Sequence, residues 1–224
     1  GQVTAVQPNP LVIAVAPGAY NAAAVRTQVE TGRSFLMRSE GTFDVIVFSL
    51  SATFHPVRSG AYSLGEDYLY TLESFETALR RLKPGGLLVI PRWLQTPPSE
   101  ELRAFALAVS ALERSGAESG SRLAAFRGYN TLTLLVKNSE FTPGELGILL
   151  DFAQSRAFDL VYAPDIQPEE TNRFNVLPDP VYYEAFTGLL ATQPREAFYQ
   201  AYPFDITPPT DNRPFFGNFF KWAQ

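Results

Sequence analysis

The chain has 224 residues, 46% of them hydrophobic and 18% charged, which is enough for one large or two small domains with a sizeable buried core. Its 18 basic and 23 acidic residues leave a net charge of −5, which excludes the broad positive field that nucleic-acid binding requires. With no cysteine and a single histidine, His55, the sequence excludes a disulfide, a thiolate zinc site, a thiol nucleophile and a multi-histidine metal centre.

No apolar run approaches the roughly 20 residues that a membrane-spanning helix needs, so the chain reads as soluble and, in the absence of cysteine, as cytoplasmic. The opening run Val3-Thr4-Ala5-Val6 is strand-like and follows no leader, as expected of a domain truncated at its amino terminus. Leu11 to Ala16 is a six-residue apolar run that fits either a strand or a helix. Phe43 to Leu50 is β-branched and almost continuously apolar, the pattern of a central strand covered on both faces.

Thr71 caps a predicted helix whose apolar residues Leu72, Phe75, Leu79 and Leu82 recur at helical spacing. Lys83-Pro84-Gly85-Gly86 stops it, and Leu87 to Ile90 is the next strand. Ser99, Glu100 and Glu101 open a second helix, with the acids at the positive end of its dipole and Leu102, Phe105, Val109 and Leu112 as its buried stripe. Leu123–Phe126 and Leu132–Val136 flank Gly128-Tyr129-Asn130 as an antiparallel hairpin. Thr142-Pro143-Gly144-Glu145 is a capping box, opening a helix that carries Leu146, Leu149, Leu150 and Ala153, and Phe158 to Tyr162 is the strand after it. Prolines then become frequent, with short helices expected over Pro180–Ala191 and Pro194–Tyr202. The alternation of strands and helices predicts an α/β, Rossmann-like fold with a mostly parallel sheet and an antiparallel C-terminal hairpin, over residues 1–162, and a Pro- and aromatic-rich helical extension over 163–224 that packs on it.

Three segments resemble the spermidine-synthase-like group of the class I methyltransferase fold, whose members are often fused to membrane-spanning helices. Val3 to Pro10 is similar to the end of that family's second strand, where an acidic residue accepts hydrogen bonds from the cofactor ribose; Gln7 stands at that position and lacks the carboxylate charge. Val29 to Leu36 is similar to the stretch beside the adenine, with Glu30, Gly32 and Arg33 as cofactor-binding candidates against the alternative of a solvated ion pair. Phe43 to Ser51, with Tyr62 to Thr71, resembles the fourth strand and gate loop of aminopropyltransferases. The family's aspartate at that strand end and its second acid correspond to Ser49 and Ala52, neither of which is a base, so polyamine synthesis is disfavoured. The ending Pro208 to Phe216 is similar to that of the membrane-fused relatives, and the resemblance makes Leu11 to Ala16 a helix started by Pro10. The family's first strand and glycine-rich turn have no counterpart, so two inner sheet edges lack their usual partner; either the sheet rearranges or another chain, as in a homodimer, fills the gap.

Ligands in open α/β sheets bind beyond the carboxyl ends of the strands, so Gln7, Glu30, Ser49, Ser51 and Arg92 are expected on one edge. Tyr62, Glu66, Asp67, Tyr68 and Tyr70 form the candidate gate, with Glu66, Asp67 and Tyr70 the catalytic candidates and ring anchoring of the loop the alternative role for the tyrosines. His55 reads as a surface residue or a base. Phe215, Phe216, Phe219, Phe220 and Trp222 form an aromatic tail that either packs on the core or meets a partner or membrane surface. Two functions follow from the resemblance. One is a transferase domain using S-adenosylmethionine or its decarboxylated form on a small-molecule substrate, with no metal. The other is a catalytically silent module that keeps the fold for binding or regulation.

Overall fold

Among the described residues seven strands fall into two sheets: a two-stranded sheet of β1 (Val3–Val6) and β2 (Val25–Gln28), and a five-stranded sheet whose strands follow the order β3 (Phe43–Val47), β4 (Leu82–Trp93), β6 (Thr131–Lys137), β5 (Leu123–Arg127) and β7 (Asp159–Tyr162). The computed structural model describes residues 1–20, 23–50 and 65–221. These divide into two compact units, Gly1–Thr42 and Phe43–Gln224, and the segment from residue 163 onward belongs to the same unit as the larger sheet.

In the first unit β1 and β2 are parallel, with Val6 opposite Gln28. The apolar run that follows β1 is helical: Asn9 takes the Leu11 N–H at 2.9 Å and Pro10 supplies the first position of α1 (Pro10–Val15), so the local cap outweighs the strand-like composition. After α2 (Pro17–Tyr20) and β2, Thr31 caps α3 (Gly32–Arg38) by accepting the Ser34 N–H at 3.2 Å. Leu36 is the one hydrophobic side chain of this unit that is fully buried among the described residues.

In the second unit β3 and β4 are parallel, linked by a crossover that contains α4 (Leu72–Arg80), and β6 runs antiparallel to both β4 and β5. Strands β3, β4 and β5 therefore point the same way, while β6 and β7 oppose them, which gives an α/β fold with the expected antiparallel hairpin. Helix α4 ends earlier than its periodicity predicts. Leu82 begins β4, paired with Phe43, and Lys83 to Gly86 form a bulge inside the strand. Gly85 takes a positive φ of 75°, and a Cβ on Gly86 would lie 3.0 Å from the carbonyl oxygens of Phe43, Asp44 and Lys83.

Helix α5 (Glu100–Arg114) is the core of this unit. Leu102, Phe105, Val109 and Leu112 are buried as the stripe requires, but so are Ala104, Ala106, Leu107 and Ala108, so the helix is enclosed on nearly all sides. Helix α6 (Pro143–Ser155) has the expected capping box, with Thr142 and Glu145 satisfying each other's backbone N–H groups. Its stripe is narrower than predicted: Leu149 and Ala153 are buried, whereas Leu150 is exposed, because the helix meets the sheet along a single ridge. Helices α7 (Val181–Ala191) and α8 (Arg195–Ala201) stand where the proline signals place them.

The carboxyl-terminal segment packs back on the core, with Phe216 and Phe219 buried. Arg103 of α5 fastens it. The Arg103 Nε donates to the Thr207 carbonyl at 2.9 Å, and its Nη1 lies 2.7–3.1 Å from the carbonyl oxygens of Phe215, Phe216 and Asn218. Replacing it should therefore strand several buried acceptors at once. We expect Arg103→Met to destabilise the chain by about 3 kcal/mol or more in urea unfolding and to raise amide exchange over residues 205–219, with a change under 1 kcal/mol refuting the clamp.

Candidate functional site

The sequence-predicted residues fall into two sets, one in each compact unit. In the first unit, the Gln7 N–H donates to the Gln28 carbonyl at 3.0 Å, which carries the parallel ladder one residue past β1 and sets Gln7 and Glu30 on adjacent strand ends. Gln7, Glu30, Gly32 and Arg33 are all half-buried. The Gln7 Oε1 accepts the Asn9 N–H at 3.0 Å, so this side chain helps to shape the turn into α1. The Glu30 carboxylate is ion-paired with the Arg38 guanidinium, eight residues on along α3. A carboxylate has acceptor sites on both oxygens, so a single guanidinium contact does not exhaust Glu30.

In the second unit, Ser49 is exposed two residues beyond Val47, which pairs with Val89. Ser51, Ala52, His55 and Tyr62 lie outside the described residues. Asp67 turns inward on its own loop, accepting the Leu69 N–H at 3.1 Å while its backbone N–H donates to Pro214 at 2.6 Å. Glu66 and Tyr68 are exposed.

Tyr70 is buried, and its ring packs on Phe48, Phe75 and Phe216, with the Phe216 centroid 4.5 Å away. Burial pushes its hydroxyl pKa up, against the lowering influence of Arg92. Tyr70 thus has the ring-anchor geometry of an amphipathic aromatic.

Arg92 is also interior. Its guanidinium pairs with Glu100 and lies beside two aromatic rings that pack on each other, with Cζ 4.8 Å from the Tyr70 centroid and 5.0 Å from that of Phe216. Burial alone would lower its pKa, but Tyr70 and Glu100 outweigh burial and hold it above its ordinary value. The gate segment, β4, α5 and the carboxyl-terminal aromatics therefore meet at one buried cation.

Sequence reasoning missed Glu101 and the turn it holds. Glu101 is completely buried, with one carboxylate oxygen accepting the Gln95 N–H at 3.0 Å and the other the Ser99 N–H at 3.3 Å. Ser99, the expected cap, instead donates its hydroxyl to the Gln95 Oε1 at 2.6 Å. The Tyr182 hydroxyl donates to the Gln95 carbonyl at 3.0 Å, and that of Tyr202 to the Pro98 carbonyl at 2.7 Å. This turn follows the carboxyl end of β4, the side of a sheet where ligands bind in open α/β folds. Two adjacent acids before an apolar run gave no sign of burial, since the same pattern marks an exposed first turn. Among the described residues no cluster of three or more acidic or histidine side chains could hold a metal ion, and no helix is long and apolar enough to cross a membrane.

Among solved structures, the chain is similar to a probable spermidine synthase from Corynebacterium glutamicum, at 20% identity over 66% of this chain and 52% of that one, with a TM-score of 0.44. It is similar to spermidine synthase from Thermotoga maritima at 14% identity over 89% and 59%, with a TM-score of 0.44. It is also similar to a spermidine synthase in complex with the transition-state analogue AdoDATO, at 13% identity over 89% and 58%, with a TM-score of 0.42. The chain spans between 52% and 59% of the length of these structures. No protein-family model and no curated protein matches it.

Burial raises the Glu101 pKa from 4.5 to about 8. The folded chain therefore holds a proton that the unfolded chain releases above pH 4.5, and stability falls as pH rises through that window until the folded group ionises near 8. Urea unfolding at pH 5, 6.5 and 8 should show this decline in the wild type and a flatter profile in Glu101→Gln; equal slopes would refute the assignment.

Proposed function

We propose that this chain is part of a spermidine-synthase-like protein that binds S-adenosylmethionine or its decarboxylated form, with the ribose and adenine along the carboxyl edge of β1 and β2. The observation that carries the reading is the parallel register of these strands, which sets Gln7 and Glu30 on adjacent ends at the two positions the resemblance assigns to the nucleoside. The residues fit such a ligand. A ribose diol or an adenine amino group needs acceptors, and Glu30 retains acceptor capacity beyond its contact with Arg38. Gln7 keeps its amide group at the same edge, although its oxygen is drawn to Asn9. When bound, the cofactor would supply an electrophilic carbon beside a sulfonium centre.

A second reading, in which the chain binds without transferring, is favoured by what stands on the other strand ends. Ser49 replaces the family's aspartate and cannot take a proton at neutral pH without a partner base. Asp67 is committed to its own turn and Tyr70 to the aromatic packing around Arg92. In a transferase reading Glu66, exposed at the start of this segment, is the remaining acceptor for the proton of an attacking nucleophile, and the chain's contribution is otherwise positioning.

Calorimetric titration of the full-length protein with S-adenosylmethionine and its decarboxylated form tests the proposal. Saturable binding is expected, weakened about tenfold or more by Glu30→Gln, the usual loss when a charged acceptor is removed. Absence of binding to either compound refutes it. Turnover with a diamine or other acceptor that Glu66→Gln abolishes would select the transferase, and binding without turnover the silent module.

A further inference from the structure

The ending Pro208 to Phe216 carries two buried prolines, Pro209 and Pro214, on either side of the turn Thr210–Arg213, which the Arg213 N–H closes by donating to the Thr210 carbonyl at 2.9 Å. Proline fixes φ and has no N–H of its own, so each presents its carbonyl from a stiff stretch of chain. The Leu72 N–H donates to the Pro209 carbonyl at 2.9 Å, and the Asp67 N–H to that of Pro214 at 2.6 Å. Between these two bonds, Asp211 makes a reciprocal pair with the start of α4. Its Oδ1 accepts the Thr71 hydroxyl at 2.8 Å, and its backbone N–H donates to the Glu73 Oε2 at 3.0 Å.

The stretch that receives these bonds has little structure of its own. Glu66 to Thr71 contains the short 3-10 turn Tyr68–Tyr70, and an isolated turn of that length is not stable in water. Tyr70 anchors one end through its ring on Phe216, but Glu66 and Tyr68 are exposed and lie before that anchor. The backbone beside Glu66 is therefore placed by the Asp67 N–H on Pro214, and so by whatever holds the turn that presents this carbonyl. Thr71 supplies the hold. It is fully buried, caps α4 by accepting the Ser74 N–H at 3.4 Å, and directs its own proton to Asp211 at 2.8 Å in preference to the Tyr68 carbonyl at 3.3 Å.

We propose that Asp211 is a positioning residue, which acts through Thr71 and the Pro214 carbonyl to hold Glu66 in place for proton transfer. In the transferase reading, on which this rests, Glu66 takes the proton of the attacking nucleophile and the chain otherwise contributes placement. The turn that resembles the ending of the membrane-fused relatives thereby has a part in the chemistry, although 140 residues separate Asp211 from Thr71.

The full-length protein, Asp211→Ala and Asp211→Asn are compared by residue-resolved amide exchange and by turnover of decarboxylated S-adenosylmethionine with a linear diamine. In Asp211→Ala, protection of the Asp67 and Leu72 amides should fall about tenfold or more, the loss expected for a charged acceptor, while the amides of β4 and β6 keep theirs. The kcat should fall about tenfold or more with it, at an unchanged KM for the cofactor. Asparagine keeps the Oδ1 acceptor, so Asp211→Asn should restore both quantities to within about threefold of the wild type. Glu73→Ala and Glu73→Gln, which remove and keep the acceptor of the Asp211 N–H, carry the same comparison should Asp211→Ala not fold. Unchanged protection at Asp67 and Leu72, a loss spread evenly over the sheet, or an unchanged kcat overturns the positioning role alone. A wild type that turns nothing over refutes the transferase reading itself, and the role of Asp211 falls with it.

Discussion

Three ionisable side chains in the first turn of α5 lie in the protein interior, and the second compact unit is arranged to keep each of them partnered. Glu100 faces the Arg92 guanidinium, Glu101 faces two backbone amides of the turn after β4, and Arg103 faces the carbonyls of the carboxyl-terminal segment. Removing any one partner would leave a desolvated group whose cost exceeds that of most single contacts. The consequence is topological. Strand β4, its following turn and a segment more than a hundred residues away, from Thr207 to Asn218, converge on one helical turn, so the tail that resembles a loose aromatic end is a structural element. The same arrangement closes over Tyr70 and Phe216, whose paired rings lie against Arg92 and remove water from the cation.

Periodicity and punctuation made much of this fold legible. The capping box at Thr142, the hairpin around Gly128 to Asn130 and the two short carboxyl-terminal helices all follow from local chemistry, and each is where those signals place it; the strand at Phe43 forms as well, but at the edge of the five-stranded sheet with Val45 and Val47 exposed, not at its centre covered on both faces. The reading erred at positions decided by long-range contacts. Leu82 fits the helical stripe as well as it fits a strand, and its pairing with Phe43 settles the matter. Leu150 fits a broad apolar face, but α6 meets the sheet along a narrower ridge. Buried charge is the hardest feature to see, because Arg92, Glu100, Glu101, Arg103 and Arg127 are of residue types that usually lie at the surface, and only the identity of their partners reveals them.

For the candidate site, local sequence pointed to Gln7 and Glu30 in the first unit and to Glu66, Asp67 and Tyr70 in the second, and the geometry shows what each of these side chains already touches. Gln7 and Glu30 stand at the ends of two parallel strands, which is where βαβ units present polar groups to ligands. Asp67 and Tyr70 are consumed by local and aromatic contacts that hold the segment onto the core. Asp67 is fastened to the Pro214 carbonyl and Tyr70 to the Arg92 centre, so this end of the segment belongs to the core of the second unit.

Tyr182 ties the turn after β4 to Arg127. Its hydroxyl donates to the turn that Glu101 organises, lies 3.2 Å from the Thr96 hydroxyl, and has its pKa pushed up to about 12 by burial, so it remains a donor throughout the physiological range. Its ring, in turn, lies against Arg127, with its centroid 5.3 Å from the Arg127 Cζ. The first turn of α7 cannot shift without breaking the bond to Gln95 and uncovering Arg127.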